Sequence, residues 1–287
     1  MIKELVIISG KGGTGKTSVT ASFAALAENA VIADCDVDAA DLKLVLGGTT
    51  VERERFVGGK KAFIDPARCD RCGTCAPLCR FDAISASCAI DPLACEGCGV
   101  CAHFCPCGAI EMREHVSGER MRTETPHGAL AHAKLGIAEG NSGKLVTLLR
   151  KKAREYAEGA GANLIIADGS PGTGCPVIAT ITGASYVLIV TEPTVSGMHD
   201  LTRVNELARH FRVPSAVCVN KADINEETTR EIRDYCAAAG IPMLTPIPYD
   251  PDVTKAQIAG LSVVECSAGP AATAIRRLWE EVSRAIE

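Results

Sequence analysis

The stretch Leu5-Val6-Ile7-Ile8-Ser9-Gly10-Lys11-Gly12-Gly13-Thr14-Gly15-Lys16-Thr17 decides how the chain folds. Its four apolar residues in a row read as a strand buried on both faces. The glycines make a tight turn, and a helical pattern begins near Lys16. Strand, glycine-rich turn and helix start, in that order, are what a phosphate-binding loop needs. The glycines let backbone N–H groups turn inward around phosphate oxygens. The helix N-terminus adds its positive end. In this frame Gly12, Gly13, Thr14, Gly15, Lys16, Thr17 and Ser18 form a nucleotide cradle. Lys16 reaches the β- and γ-phosphates, and Thr17 ligates Mg²⁺.

Working outward, further apolar runs at 31–33, 164–166, 186–190 and 216–219 read as buried strands. Helical patterns start near Lys16, Gly143, Asp200, Glu226 and Pro270. Apolar strands alternating with helices predict an α/β fold with a mostly parallel sheet covered on both faces. The chain has 287 residues, enough for one large α/β domain or a domain plus a small module. Its net charge of −5, with no block of like charge, speaks against a nucleic-acid surface. No apolar run has the length of a membrane span. The first residues show no basic and apolar leader, so a cytoplasmic location is the expectation.

Lys11 is informative beyond the loop itself. A lysine this early in the loop marks the deviant Walker A motif of the MinD family, which includes chromosome-partition ATPases, the nitrogenase iron protein and Mrp-type cluster carriers. The chain resembles that family from residue 1 to about 46, and again after 113. The resemblance implies that Lys11 reaches the nucleotide of a partner subunit in an ATP-sandwich dimer, homodimeric or formed with a related ATPase. A cation supplied in that way stabilises charge on the transferring phosphoryl group. The resemblance also makes Asp36, in Asp34-Cys35-Asp36, the switch residue that positions the attacking water. Asp38 and Asp41 have either Mg²⁺ and interface roles or a helix-capping role. Asp168, at the end of Leu164-Ile165-Ile166-Ala167-Asp168, reads as the Walker B aspartate, so Thr17, Asp36 and Asp168 are the expected Mg²⁺ set. Gly169 and Gly172 let the following loop respond to the γ-phosphate. Asn220-Lys221-Ala222-Asp223 resembles a base-recognition motif, with Asn220 on adenine and Asp223 beside it. Pro248-Tyr249-Asp250 is expected to wall the base.

Residues 60–113 break the α/β rhythm. Ten of the fifteen cysteines lie between Cys69 and Cys107. The segment repeats itself at a constant offset of 26 residues: Ile64-Asp65-Pro66 returns as Ile90-Asp91-Pro92, and Cys69, Cys72, Cys75 and Cys79 return as Cys95, Cys98, Cys101 and Cys105. Without a secretion signal, metal ligation is a better reading than disulfides. Paired C-x₂-C units also suit zinc. Two C-x₂-C-x₂-C-x₃-C runs, the second followed by Pro106, are the pattern of bacterial two-cluster ferredoxins, whose fourth cysteine serves the other cluster. Carried over, Cys69, Cys72, Cys75 and Cys105 hold one [4Fe–4S] cluster, and Cys79, Cys95, Cys98 and Cys101 hold the second. Arg80 stands where a symmetrical pattern has proline. The expected organisation is therefore a discontinuous P-loop domain, 1–59 and 114–287, interrupted by a small α+β ferredoxin-like insert at 60–113. Glycine pairs at 47–48 and 58–59 read as linkers, and 115–140 as a return loop.

The remaining residues carry less. Cys88 and Cys107 read as buried, unreactive thiols, and His103 as surface or packing. Cys35, Cys218, Cys236 and Cys266 read as small buried residues. Cys175, seven residues after Asp168, is a packed or interface thiol or, by resemblance to the nitrogenase iron protein, part of an intersubunit metal site. The last helix places Ile275, Leu278, Trp279, Val282 and Ile286 on one face, which reads as core packing and not as a membrane anchor. The whole resembles MinD-superfamily ATPases with an inserted ferredoxin. That implies ATP-gated electron transfer to a redox partner. The alternatives are cluster delivery to an apo-protein, and a nucleotide- and redox-dependent switch that positions a partner complex.

Overall fold

The computed structural model describes residues 1–136, 139–140 and 142–287. Eight strands run β1 (Lys3–Ser9), β2 (Ala30–Asp34), β3 (Thr49–Ile64), β4 (Ile110–Thr125), β5 (Gly128–Leu135), β6 (Leu164–Pro171), β7 (Tyr186–Thr191) and β8 (Ser215–Val219). The helices are α1 (Lys16–Leu26), α2 (Leu42–Leu46), α3 (Cys75–Leu78), α4 (Val100–His103), α5 (Ser142–Ala160), α6 (Cys175–Ile181), α7 (Val195–His210), α8 (Glu226–Ala239), α9 (Pro251–Ile258), α10 (Val263–Cys266) and α11 (Pro270–Ile286). The sheet order is β3-β4-β5-β2-β6-β1-β7-β8. Pairings β5–β2, β2–β6, β6–β1, β1–β7 and β7–β8 are all parallel.

The chain divides into two compact units. The larger comprises 1–54, 120–134 and 142–287, and the smaller 55–119 and 135–141. The smaller unit is therefore wider than the cysteine repeat that marks it in the sequence.

In the larger unit the central strands are apolar on both faces because helices cover both. Leu5, Ile7, Leu188 and Val190 pack with Val19 and Phe23 of α1 and with Ile275, Leu278 and Val282 of α11. Their alternates Val6, Ile8, Val187 and Ile189 are equally buried. Trp279 packs against Phe23 with ring centroids 5.0 Å apart, so α11 turns its apolar face into the core as its pattern predicts. Among the described residues no helix is long and apolar enough to cross a membrane.

Three sequence expectations are corrected. The stretch 115–140 is mainly strand: β4 continues to Thr125, and β5 follows after Pro126 and His127. Leu130, Ala131, His132 and Ala133 of β5 are buried, while residues 137–138 of that stretch lie outside the described residues. Gly58 and Gly59 are no linker but lie within β3, where a side chain on Gly58 would collide with Ser117. The helix expected near Asp200 begins five residues earlier at Val195, because the Thr194 hydroxyl accepts the Gly197 N–H and caps it.

The smaller unit shows the repeat in three dimensions. The Asp65 N–H donates to the Ala109 carbonyl at 2.8 Å, and its counterpart Asp91 donates to Ala83 at 2.8 Å. Cys69 and Cys95 donate in turn to the carbonyls of Asp65 and Asp91, both at 3.0 Å. Gly73 and Gly99 take the same left-handed conformation, at φ 75° and 77°. The core between the halves is formed by Cys75, Ile84, Cys101 and Ile110.

Candidate functional site

The loop between β1 and α1 opens onto a cavity of about 780 Å³ in the larger unit. That is the scale of a nucleotide-sized ligand. Its lining includes Gly12, Gly13, Thr14, Gly15, Lys16, Thr17 and Ser18. Gly13 and Gly15 sit at φ 80° and 87°. A side chain at Gly15 would also collide with the Asn220 amide. Glycine is needed there for both conformation and space.

Charge is concentrated beneath the loop. The Lys16 ammonium lies 3.0 Å from Asp168 and 3.5 Å from Asp36. Asp168 also accepts the hydroxyls of Thr17 at 2.7 Å and Thr20 at 2.9 Å. Burial works to lower the Lys16 pKa, but Asp168 and then Asp36 outweigh it and hold the ammonium more firmly charged than usual. Burial raises the Asp36 pKa, and Lys16 only partly opposes the shift. The structure thus brings Thr17, Asp36 and Asp168 together around one lysine. One or two carboxylates, a hydroxyl, waters and phosphate oxygens are the ligand types Mg²⁺ takes in such sites.

Asp34, which sequence reasoning passed over in favour of Asp36, positions the loop around the site. Its carboxylate accepts the N–H groups of Asp36 at 3.2 Å and Leu42 at 3.1 Å. It thereby fixes the loop that carries Asp36 and starts α2. Asp41 precedes α2 but makes no capping bond with its side chain. Full burial, and then repulsion from Asp168, push the Asp34 pKa well up. The signal was the doubled aspartate at a strand end.

Lys11 does not line the cavity. Its ammonium is 2.6 Å from Glu192 and bonds the hydroxyls of Thr194 at 3.3 Å and Ser196 at 3.0 Å. Lys221 reaches the other Glu192 oxygen at 3.3 Å. Burial pulls the Glu192 pKa up, but the two lysines hold it below the usual value. Asn220 lines the cavity and donates its amide to the Thr14 carbonyl at 2.8 Å. Asp223 stands outside the lining. It accepts the Tyr249 N–H at 2.6 Å and so fastens the Pro248–Tyr249 wall, which does line the cavity. Cys175 is exposed at the first position of α6.

In the smaller unit the patterned cysteines sort into two groups. Cys69, Cys72, Cys75 and Cys105 line one cavity, and Cys79, Cys95, Cys98 and Cys101 line another. The fourth cysteine of each run thus joins the three of the other run. Among the described residues, no three His, Cys, Asp or Glu side chains converge as a single metal ion requires. The thiols line the walls of each cavity. Three further expectations are corrected. Cys88 and Cys107 are only half-buried and line the first cavity instead of lying inert in a core. Cys266 is exposed, at the end of the short α10, because α10 buries Val263 and Val264 and turns Cys266 outward. His103 is exposed and packs edge-on against Phe104, while Cys35 and Cys218 are fully buried with their pKa values pushed up by desolvation.

A glycine-rich loop at the head of a parallel sheet, a buried Lys–Asp cluster and a walled cavity define a P-loop nucleotide-binding domain. Residues 5–263 match the model for the CobQ/CobB/MinD/ParA nucleotide-binding domain, and the chain belongs to that family. An uncharacterized protein of Methanocaldococcus jannaschii, MJ0578, is 32% identical over 100% of this chain and 98% of its own length. An uncharacterized ATP-binding protein of the same organism, MJ0547, is 24% identical over 97% of this chain and 86% of its own. In fold the chain is similar to the septum site-determining protein MinD of Pyrococcus horikoshii OT3, solved with Mg-ADP. The TM-score is 0.61 at 19% identity, covering 99% of this chain and 97% of that one.

Proposed function

We propose that the protein binds and hydrolyses MgATP and couples nucleotide-dependent dimer closure to electron transfer through two [4Fe–4S] clusters. The observation that carries the iron–sulfur half is the sorting of eight patterned cysteines into two sets of four, each set drawn from both halves of the repeat. The donors fit in kind: all are thiols, and each cavity is lined by the four that a cube needs. Cys69, Cys72, Cys75 and Cys105 would hold one cluster, and Cys79, Cys95, Cys98 and Cys101 the other. Bound there, such clusters supply one-electron transfer.

The chain's own residues supply the nucleotide half. Lys16 is kept charged by Asp168 and Asp36, so it offers a cation to the β- and γ-phosphates. Thr17, Asp36 and Asp168 would hold Mg²⁺, and Asp36 would also orient the attacking water. Lys11, parked on Glu192, moves to a partner's nucleotide when the dimer closes. Gly172, at φ 89°, lets the turn after β6 follow that change, whereas Gly169 is packed within the strand. The MJ0547 relative, named for ATP binding, supports the choice of base.

The test is an anaerobic, EPR-monitored redox titration with and without MgATP. Coupling predicts a shift of about 59 mV or more in at least one cluster, the one-electron equivalent of a tenfold change in equilibrium. Two loaded clusters whose potentials ignore MgATP would overturn gated electron transfer. A readiness of that protein to give up its iron to an apo-ferredoxin would then favour cluster delivery.

A further inference from the structure

The two thiol cavities differ in a way the repeat does not predict. By the 26-residue offset, Cys105 corresponds to Cys79 and Cys75 to Cys101. Among the described residues, four cysteines line the second cavity and six line the first, which adds Cys88 and Cys107. Of the two extra thiols, Cys107 lies beside a patterned one. Cys107 Sγ is 3.7 Å from Cys105 Sγ and 3.8 Å from Asp70 Oδ1. Cys88 shares the lining of the first cavity with Cys75. In the other half the counterpart of Cys107 is Phe81, whose ring lines the second cavity and has no donor to offer. The counterpart of Cys88 is Ala62, which lines the second cavity and has no donor either.

We propose that the first cavity is a ligand-redundant iron–sulfur site, in which Cys107 can replace Cys105 as the thiolate of one corner iron. The inference rests on the two-cluster reading and extends it. A corner iron takes one thiolate, and two sulfurs less than 4 Å apart compete for it by side-chain rotation. Gly108, next to Cys107, sits at φ 60°, a conformation open to glycine. The exchange is a substitution without change of oxidation state. One Fe–S bond forms to Cys107 and one to Cys105 breaks. The proton that Cys107 gives up is taken by the released Cys105 thiolate, so charge balances. The second cavity has no such reserve, so the two pseudo-equivalent sites differ in lability and not only in surroundings.

The test compares counterparts in the full chain, purified without oxygen: C105A, C79A, C107A and the double variant C105A/C107A. Alanine is used because a serine oxygen can itself ligate iron. The readouts are iron and sulfide per chain and the EPR spectrum of the oxidised protein, where a three-iron cluster announces a lost corner. Nucleotide binding by each variant checks that the chain is folded. Wild type and C107A are expected to hold about eight irons, the content of two four-iron clusters. C105A keeps that content with a changed spectrum, because Cys107 steps in. C79A and the double variant lose a corner iron or a whole cluster. C105A losing iron as C79A does would overturn the proposal, and so would C79A keeping all of it. A wild type that binds no iron would instead overturn the two-cluster reading on which the proposal stands.

Discussion

The two units of this chain hold their sites in opposite ways. In the larger, a sheet of Leu, Ile and Val residues at 0–1% exposure carries the loop, and the nucleotide site is an outgrowth of a core that stands without it. In the smaller, the hydrophobic cluster between the halves of the repeat consists, among the described residues, of Cys75, Ile84, Cys101 and Ile110, so two of its four buried members are candidate ligands. A core that small supplies little burial energy by itself, and metal binding then becomes folding energy. The nucleotide site is positioned by the fold, whereas the cysteine unit, on the proposed reading, would draw stability from the clusters it holds.

The largest effect expected from this contrast is on removal of iron. Anaerobic chelation should abolish the order of the smaller unit while leaving the larger unit's melting temperature nearly unchanged. Hydrogen exchange resolved along the chain checks this directly. Equal protection of the 55–119 amides with and without iron would break the comparison. Next is Lys16→Met, which removes the cation between Asp168 and Asp36. Hydrolysis is expected to fall about 100-fold or more, the scale seen when one charge-stabilising donor is lost. Iron content should be unaffected, which separates the two sites.

A smaller effect concerns pH. His132 is buried in β5 and bonds the Thr123 hydroxyl at 2.8 Å. Burial, and then the nearby charges of Lys43 and Arg53, push its pKa down to about 4. Its folded pKa is below the unfolded value near 6.5, so the unfolded chain binds the extra proton. Stability from this group is therefore present above about pH 6.5 and is lost as the pH falls toward 4. Denaturant titration of wild type against His132→Gln should show a difference of about 1–2 kcal/mol developing across that window. A difference that stays constant with pH would contradict a neutral His132. The smallest effect is expected from Asn220→Ala. Loss of the bond to the Thr14 carbonyl should cost about 1 kcal/mol in nucleotide affinity or loop stability. Calorimetry with MgATP measures it.

Legibility followed the same division. Strands β1, β2, β6, β7 and β8 were readable because burial on both faces leaves an unbroken apolar run. Strands β3 and β4 were not, since Thr-Thr-Val-Glu-Arg-Glu-Arg and Glu-Met-Arg-Glu-His place charges along strands exposed on much of their length. In β5, Gly128 and His132 interrupt the pattern, although His132 is buried. The loop at 10–17 was legible because its chemistry needs glycine at fixed spacing. Glu192, which holds Lys11, was not. The pair joins residues far apart in the chain, and nothing local marks a glutamate after a strand. The cysteine spacing announced the two sets of four. It could not reveal that Cys88 and Cys107 face the first set, because they fall outside the repeat and only the fold brings them there.

On the proposed function, nucleotide and redox state are linked through one chain. Linkage is reciprocal, so a potential that moves with MgATP requires an MgATP affinity that moves with reduction. The most direct measurement is the dissociation constant of MgATP for the fully iron-loaded protein, oxidised and then reduced, under the same anaerobic conditions. The account predicts values that differ by about tenfold or more, matching a shift of about 59 mV for one electron. Identical affinities in the two states, with both clusters present by EPR, would contradict it.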